Sequence, residues 1–242
     1  MADPIHILAT APLADRVLLP GDPGRALALA QSLLSAPKMF NHNRGLWGYT
    51  GDAAADGRPL TIQSTGIGGP SAAIVISELV QLGARTLLRV GTCGSLRPEL
   101  GVGRLLIVSE AICEDGTSRA LVFADHVSPA DAQRIAPAPQ LLARLIAAAG
   151  DEASQAVTVS TDLFYDRPAG TRARWAALGA AAVELETATV LALARRRGLR
   201  AGSLLLVADA IAADGARRRI DPDELRAGEQ RLGEVAVRAL SA

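Results

Sequence analysis

The stretch Thr86-Leu87-Leu88-Arg89-Val90-Gly91-Thr92-Cys93-Gly94-Ser95 narrows the folds open to this chain more than any other. Its first half is a β-branched and aliphatic run, which reads as a buried strand. Its second half interleaves two glycines with Thr92, Cys93 and Ser95, which reads as a tight turn with hydroxyls and exposed amides. Arg89 stands near the end of the apolar run, where a guanidinium is costly unless an anion meets it. Ligands of open parallel sheets bind beyond the carboxyl ends of the strands. Two outcomes stay open: an anion site built from Arg89, Thr92 and the turn at 91–94, or a structural arginine paired with an internal carboxylate.

The rest of the chain suits such a sheet. Hydrophobic residues make up 49% and aromatics only 3%, so the core must be Leu, Val, Ile and Ala. Parallel strands covered by helices are built from those residues. The 242 residues fit one domain, 1–242, of ordinary size. Acidic and basic residues balance at 25 each, which argues against nucleic acid as the main partner. Two cysteines, Cys93 and Cys113, cannot make a disulfide framework. The amino terminus has no basic n-region or apolar h-region, and every apolar run is short or broken by arginine. The expectation is a soluble, cytoplasmic protein without a membrane partner.

Strands and helices alternate without a composition break or repeat, which predicts an α/β fold with a central sheet flanked by helices. A first strand over 16–20 passes through Gly21-Asp22-Pro23-Gly24-Arg25 into a helix ending near Leu34, with Asp22 as N-cap. Arg25 then falls in the first helical turn, where the macrodipole disfavours a cation unless an anion is bound or solvent screens it. A polar, glycine-rich loop over 41–51 carries His42 and Arg44. Residues 60–64 form a strand, and Gly66, Gly68 and Gly69 a loop before a helix ending near Gly83. That loop matches the dinucleotide fingerprint poorly, yet it would let a ligand approach the backbone. Further strands are expected over 104–112, 156–160, 181–186 and 203–208, with an irregular polar excursion over 114–139. Helices are expected over 141–149, up to Arg197, and from Asp221 onward.

Acidic residues end two of these strands. Glu184 and Glu186 are two apart, so in an extended chain they share a face. They suit a metal, acid–base work or sugar hydroxyls, and a metal is disfavoured because no His or Asp stands at ligand spacing. Asp209 follows Leu204-Leu205-Leu206-Val207-Ala208, where burial would raise a carboxyl pKa and make it a general acid; it could equally be a cap.

In this order, four motifs resemble the nucleoside phosphorylase family that includes bacterial hexameric purine nucleoside phosphorylases and uridine phosphorylases. They are Leu18-Leu19-Pro20-Gly21-Asp22-Pro23-Gly24-Arg25, Arg44-Gly45-Leu46-Trp47-Gly48-Tyr49-Thr50-Gly51, Arg89-Val90-Gly91-Thr92-Cys93-Gly94 and Val183-Glu184-Leu185-Glu186. The resemblance implies a mixed central sheet and a phosphate held by Gly21, Arg25, Arg89 and Thr92, with Arg44 donated by a neighbouring subunit. It implies that His6, also from the neighbour, touches the sugar. Glu186 would accept from the ribose hydroxyls beside Leu185, Phe164 would face the base, and Glu184 would line the pocket near it. Asp209 would protonate a departing purine, helped by one of Arg217, Arg218, Arg219 or Arg226. No cofactor is implied beyond inorganic phosphate as co-substrate, and the assembly implied is a homo-oligomer, a hexamer made as a trimer of dimers.

Substrate class rests on two features. Asp209 is present, and Phe164-Tyr165 is followed by Asp166-Arg167-Pro168-Ala169-Gly170-Thr171-Arg172 without the Gln that reads a pyrimidine in the uridine enzymes. Both favour purine phosphorolysis. Uridine phosphorolysis, with Arg167 or Arg172 reading the base, is the nearest alternative. A nucleosidase would not need Arg25, Arg44 and Arg89, and a non-catalytic nucleoside binder would need neither these nor Asp209.

Overall fold

From Arg16 onward, the chain builds one mixed sheet with helices packed on both of its faces. The computed structural model describes residues 3–123, 134–211 and 216–241. Strand β1 (Arg16–Leu19) passes through Asp22 into helix α1 (Pro23–Leu33). The side chain of Asp22 accepts from the Arg25 amide at 2.6 Å, as an N-cap should. Strands β2 (Leu34–Asn41), β3 (Gly48–Ala53) and β4 (Pro59–Gln63) form an antiparallel meander. Helix α2 (Gly69–Leu82) ends on Gly83 at φ 116°, a left-handed cap that glycine adopts freely.

Next come β5 (Thr86–Ser95), β6 (Leu105–Glu114), α3 (Gly116–Phe123), β7 (Arg134–Ile135), α4 (Pro139–Ala149) and β8 (Ala153–Thr161). The chain closes with α5 (Thr171–Ala177), β9 (Ala182–Glu184), α6 (Thr187–Arg197), β10 (Arg200–Ile211), β11 (Arg217–Arg219) and α7 (Pro222–Ser241). Strands β5, β10, β6, β8 and β9 pair in a closed ring, and β1, β4, β3 and β2 extend it from β5 as an open sheet.

Alternation along the central strands feeds two cores. Val17, Leu19 and Leu87 point to the layer of α2 and α6. Leu18, Leu88 and Val90 point to the layer of α1, α4 and α7. Both faces are buried, which accounts for continuous apolar runs in β1 and β5 rather than a polar alternation. Helix α7 lies close on α1: a β-carbon at Gly233 would stand 2.5 Å from Leu29 Cδ2.

Four differences from the sequence expectation matter. Residues 91–94 are not a turn; β5 runs straight through them, paired to β10 from Thr86 with Arg200 to Gly94 with Asp209. The last long strand reaches Ile211, past the expected end at Ala208, because β11 pairs with its extension. Residues 34–41, between the expected helix end near Leu34 and the loop expected from 41, form β2, an edge strand exposed from Ser35 to Met39. Pro37 and Lys38 sit there, as edge strands allow, and they hid the strand's pattern. The excursion over 114–139 holds α3 and β7, with 124–133 outside the described residues.

Candidate active site

Arg89 is 3% exposed and sits at the centre of a side-chain network. Its Nε donates to Glu184 Oε2 at 3.0 Å and to Thr187 Oγ1 at 3.2 Å, and its Nη2 lies 2.6 Å from Glu186 Oε2. Glu184 also accepts from the amides of Glu186 and Thr187, at 2.9 and 2.8 Å, and from the Ser160 hydroxyl. Its carboxylate is thereby consumed in fixing Arg89 and the start of α6. Glu186 uses Oε1 to accept from the Gly68 amide at 2.6 Å, which ties the glycine loop before α2 to the start of α6. The two glutamates converge on Arg89 although Glu186 has left the strand, with φ −136° and ψ −20°.

Electrostatics follow from this packing. Burial raises the pKa of Glu186, with Glu184 adding to the rise and Arg89 opposing it. Burial disfavours the charge on Arg89, but Glu186 and Glu184 outweigh that and hold its pKa above the ordinary arginine value. Both outcomes of the sequence argument for Arg89 therefore meet in one side chain. It is paired with internal carboxylates, and it also faces a cleft.

The cleft has a volume of about 1120 Å³ and opens beyond the carboxyl ends of β1, β5 and β10. That size suits a small-molecule site. Gly21, Arg25, Arg89 and Thr92 line it, together with Glu184, Leu185 and Glu186. Phe164, Asp209 and Arg217 belong to the same lining. Arg25 does not stand free, since its Nε donates to Glu229 Oε1 of α7 at 2.7 Å. The Gly21 and Gly66 loops are clipped together by Gly66 N donating to Gly21 O at 3.0 Å.

Asp209 is not sealed among apolar side chains as its preceding run suggested. Its side chain is 25% exposed, and Arg217 Nε donates to its two oxygens at 3.0 and 2.8 Å. The β10–β11 register separates the four candidate arginines. Arg219 is paired opposite Asp209 and Arg217 lies two residues along, so both share its face, whereas Arg218 is paired opposite Ala210. Arg226 bonds instead to Asp223 on the outside of α7.

Two expected site residues lie outside the cleft lining of this chain. His6 Nδ1 is 2.7 Å from Glu78 Oε1, and the amides of Ile5, His6 and Ile7 all donate to the same carboxylate. Arg44 adopts φ 57°, left-handed for a residue with a side chain. The side-chain amide of Asn43, beside Arg44, donates to the carbonyls of Ile5 and His6 at 3.2 and 3.1 Å, so the two expected donors share one patch. Ile5, Leu8, Met39 and Trp47 on these segments are exposed.

The sequence argument missed Glu229, Ser160, Thr187 and Glu78, the partners that fix Arg25, Glu184, Arg89 and His6. None stands at a telling spacing; Glu229 is 204 positions from Arg25.

The cleft, with its buried arginine–carboxylate centre, lies at the strand ends of a mixed sheet, and the comparisons with known proteins say which class this arrangement belongs to. The chain belongs to the phosphorylase superfamily, whose pattern it matches over residues 15–241. It is 37% identical over 216 residues to a purine nucleoside phosphorylase DeoD-type of Geobacillus kaustophilus, covering 86% of each chain. It is 37% identical over 224 residues to a guanosine phosphorylase of Halorubrum lacusprofundi, covering 91% of this chain and 89% of that one. A uridine phosphorylase of Escherichia coli is 34% identical over 205 residues, 78% of each. In fold, the chain superposes on a purine nucleoside phosphorylase of Toxoplasma gondii, solved with immucillin-H, with TM-score 0.84 at 24% identity. That match covers 100% of this chain and 96% of the other.

Proposed function

We propose that this protein is a purine nucleoside phosphorylase, a single-domain enzyme of nucleoside salvage in the cytoplasm. It would convert a purine (deoxy)ribonucleoside and inorganic phosphate to free base and (deoxy)ribose 1-phosphate. The observation that carries the reading is the set of groups that one cleft gathers. Arg25, Arg89, Thr92 and Gly21 suit a phosphate, the Glu186 carboxylate suits sugar hydroxyls, and Asp209 with Arg217 suits a departing base. A nucleoside undergoing phosphate attack at its anomeric carbon needs all three.

Each group has a task. The phosphate oxygen forms a bond to C1′ as the bond from C1′ to N9 breaks, and the sugar passes through a cationic state. Glu186 accepts from the ribose 2′ and 3′ hydroxyls and places a negative charge beneath that cation. Arg89 links sugar carboxylate and phosphate, so the two substrates are aligned by one side chain. Asp209, after taking a proton from solvent, delivers it to the imidazole of the leaving base, and Arg217 orients the carboxyl group. No cofactor takes part.

Assembly is part of the proposal. Within one chain the arginines that suit phosphate are Arg25 and Arg89, each already paired with glutamate. A phosphate dianion needs further positive charge, which Arg44 of a neighbouring subunit supplies while His6 of that neighbour meets the sugar. The exposed Ile5, Leu8, Met39 and Trp47 around them support a two-fold interface, repeated in a trimer of dimers. Neither nucleic acid nor membrane is a partner.

Incubation with inosine, guanosine, adenosine and uridine, with and without phosphate, tests the reading. Expected is phosphate-dependent release of purine with ribose 1-phosphate. Release without phosphate would make the protein a nucleosidase. Release from uridine alone would favour the second reading, to which the guanidinium groups of Arg167 and Arg172 in the cleft lend support.

A further inference from the structure

Around Asp209 the cleft carries more positive charge than orienting that carboxylate requires. Besides Arg217, three guanidinium groups line the cleft here: Arg167 from the connection before α5, Arg172 from the first turn of α5, and Arg219 from β11. The acids on these lining segments are Asp166 and Asp209, and the phenol of Tyr165 stands beside Asp166. Arg217 takes up Asp209. Among the described residues, Arg167, Arg172 and Arg219 have no carboxylate in ion-pair contact. Asp214, between β10 and β11, lies outside the described residues; with its charge counted, arginines still outnumber acids.

Arg167 registers this crowding. Burial lowers its pKa first, then the charges of Arg172 and Arg217, with Asp209 opposing. The Arg167 Nε is held by the Leu163 carbonyl at 2.7 Å, and its guanidinium stands 5.5 Å from the Trp175 ring centre, so it is fixed in place. Arg219 is fixed by register, opposite Asp209 on the same sheet face. Arg172 and Arg219 are exposed, so water screens their repulsion while the cleft is open, and a base that displaces this water strengthens their pull on negative charge. Negative charge arriving among them is correspondingly favoured.

We propose that Arg167, Arg172 and Arg219 form an electrostatic leaving-group site that selects oxopurine nucleosides over aminopurine nucleosides; this rests on the phosphorolysis proposed above. As the C1′–N9 bond breaks, the bonding electron pair departs with the base. In a 6-oxopurine the pair delocalises onto O6, and in a 2,6-dioxopurine onto O2 as well, where guanidinium N–H groups meet it. The base leaves as an anion and takes its proton from water. A 6-aminopurine has no such oxygen, so its departure depends on the proton from Asp209. The cleft thus holds two routes for expelling a base, and the arginines serve only one.

The test compares inosine, guanosine, xanthosine and adenosine in wild type, Arg219→Gln, Arg172→Gln and Arg219→Lys. The wild type should favour the oxopurine nucleosides in kcat/KM. Arg219→Gln and Arg172→Gln should each lower the inosine-to-adenosine ratio of kcat/KM about tenfold, the effect of losing one charged hydrogen-bond donor. The loss on inosine should fall in kcat rather than KM, because the charge develops only in the transition state. Arg219→Lys should restore part of it.

Should a variant fail to fold, the wild-type ranking and the affinity for free xanthine against free adenine still decide. Equal ranking, equal affinity, or an unchanged inosine-to-adenosine ratio in folded variants would overturn the proposal. Failure to cleave any purine nucleoside would instead overturn the purine reading on which this selection rests, and would be told apart by the absence of turnover on all four nucleosides.

Discussion

The guanidinium of Arg89 lies folded against Gly91, where an added β-carbon would stand 2.8 Å from Nη2 and 2.9 Å from Cζ. Residues 89 and 91 share a face of β5, so the glycine makes room for the arginine of its own strand. Gly91→Ala should push the guanidinium off Glu184 and Glu186 without removing its charge. Losing a charged hydrogen bond costs on the order of 1.5–3 kcal/mol, so KM for phosphate should rise at least about tenfold. Phosphate titration at saturating nucleoside measures it. An unchanged KM would mean that Arg89 is placed by its carboxylates alone.

If His6 and Arg44 complete a neighbour's cleft, defects in different parts of the site complement. His6→Ala and Glu186→Ala subunits should each be nearly inactive alone. Mixed and reassembled, half the dimers carry both kinds, and each of those has one whole site, so about a quarter of sites should recover. Activity after mixing that never exceeds the sum of the parents would place His6 outside the neighbouring site.

Away from the cleft, Arg16 is buried and bonds to both oxygens of Asp56, at 2.6 and 2.7 Å. Hydrogen bonding to Arg16 chiefly holds the Asp56 pKa far below the ordinary carboxylate range, against the pull of burial. A carboxyl whose pKa is depressed by folding stabilises the native state above its unfolded pKa. That contribution fades as pH falls from about 5 toward the folded value. Asp56→Asn should lower stability at pH 7 by about 3–5 kcal/mol, since Arg16 loses its counter-charge in a buried position. It should also flatten the loss of stability between pH 5 and 3, as followed by urea unfolding at each pH. Parallel stability curves for the two proteins would remove this pair from the acid response.

How much of this was legible in the chain varies with how local the cause is. The apolar runs of β1 and β5 and the Asp22 cap are local, and the sequence pattern placed them. Gly91 misled, because glycine marks turns by rule, yet here it accommodates the Arg89 side chain inside a strand. The partners of Arg89 were seen as strand-end acids, but Glu184 is 95 positions away, and no spacing rule reports such a meeting. The choice among Arg217, Arg218 and Arg219 needed the β10–β11 register, which appears only when the strands are paired. The burial expected at Asp209 failed for a related reason. The run before it is buried by its neighbours in the sheet, while Asp209 itself has reached the rim.

At that rim the carboxylate of Asp209 accepts from Arg217, and this geometry sets up the last prediction. A purine leaves with excess electron density on its imidazole nitrogens, and a proton delivered there lowers the barrier by roughly a hundred- to ten-thousandfold. To deliver it, Asp209 must first take up a proton from solvent, which its part-exposed side chain can reach, and then turn that oxygen from Arg217 toward the base. Asn in its place keeps the shape and can donate a hydrogen bond but has no proton to give up. Asp209→Asn should therefore cut adenosine phosphorolysis by about a hundredfold or more, and inosine and guanosine phosphorolysis by much less. KM for phosphate should hardly move, since Arg25 and Arg89 pair with Glu229, Glu184 and Glu186 while Asp209 pairs with Arg217. Single-turnover rates on the three nucleosides, with a phosphate titration for each protein, supply the measurement. An equal loss on all three would make Asp209 a structural partner of Arg217, and a phosphate KM that rises with it would mean that Asp209 also shapes the phosphate site.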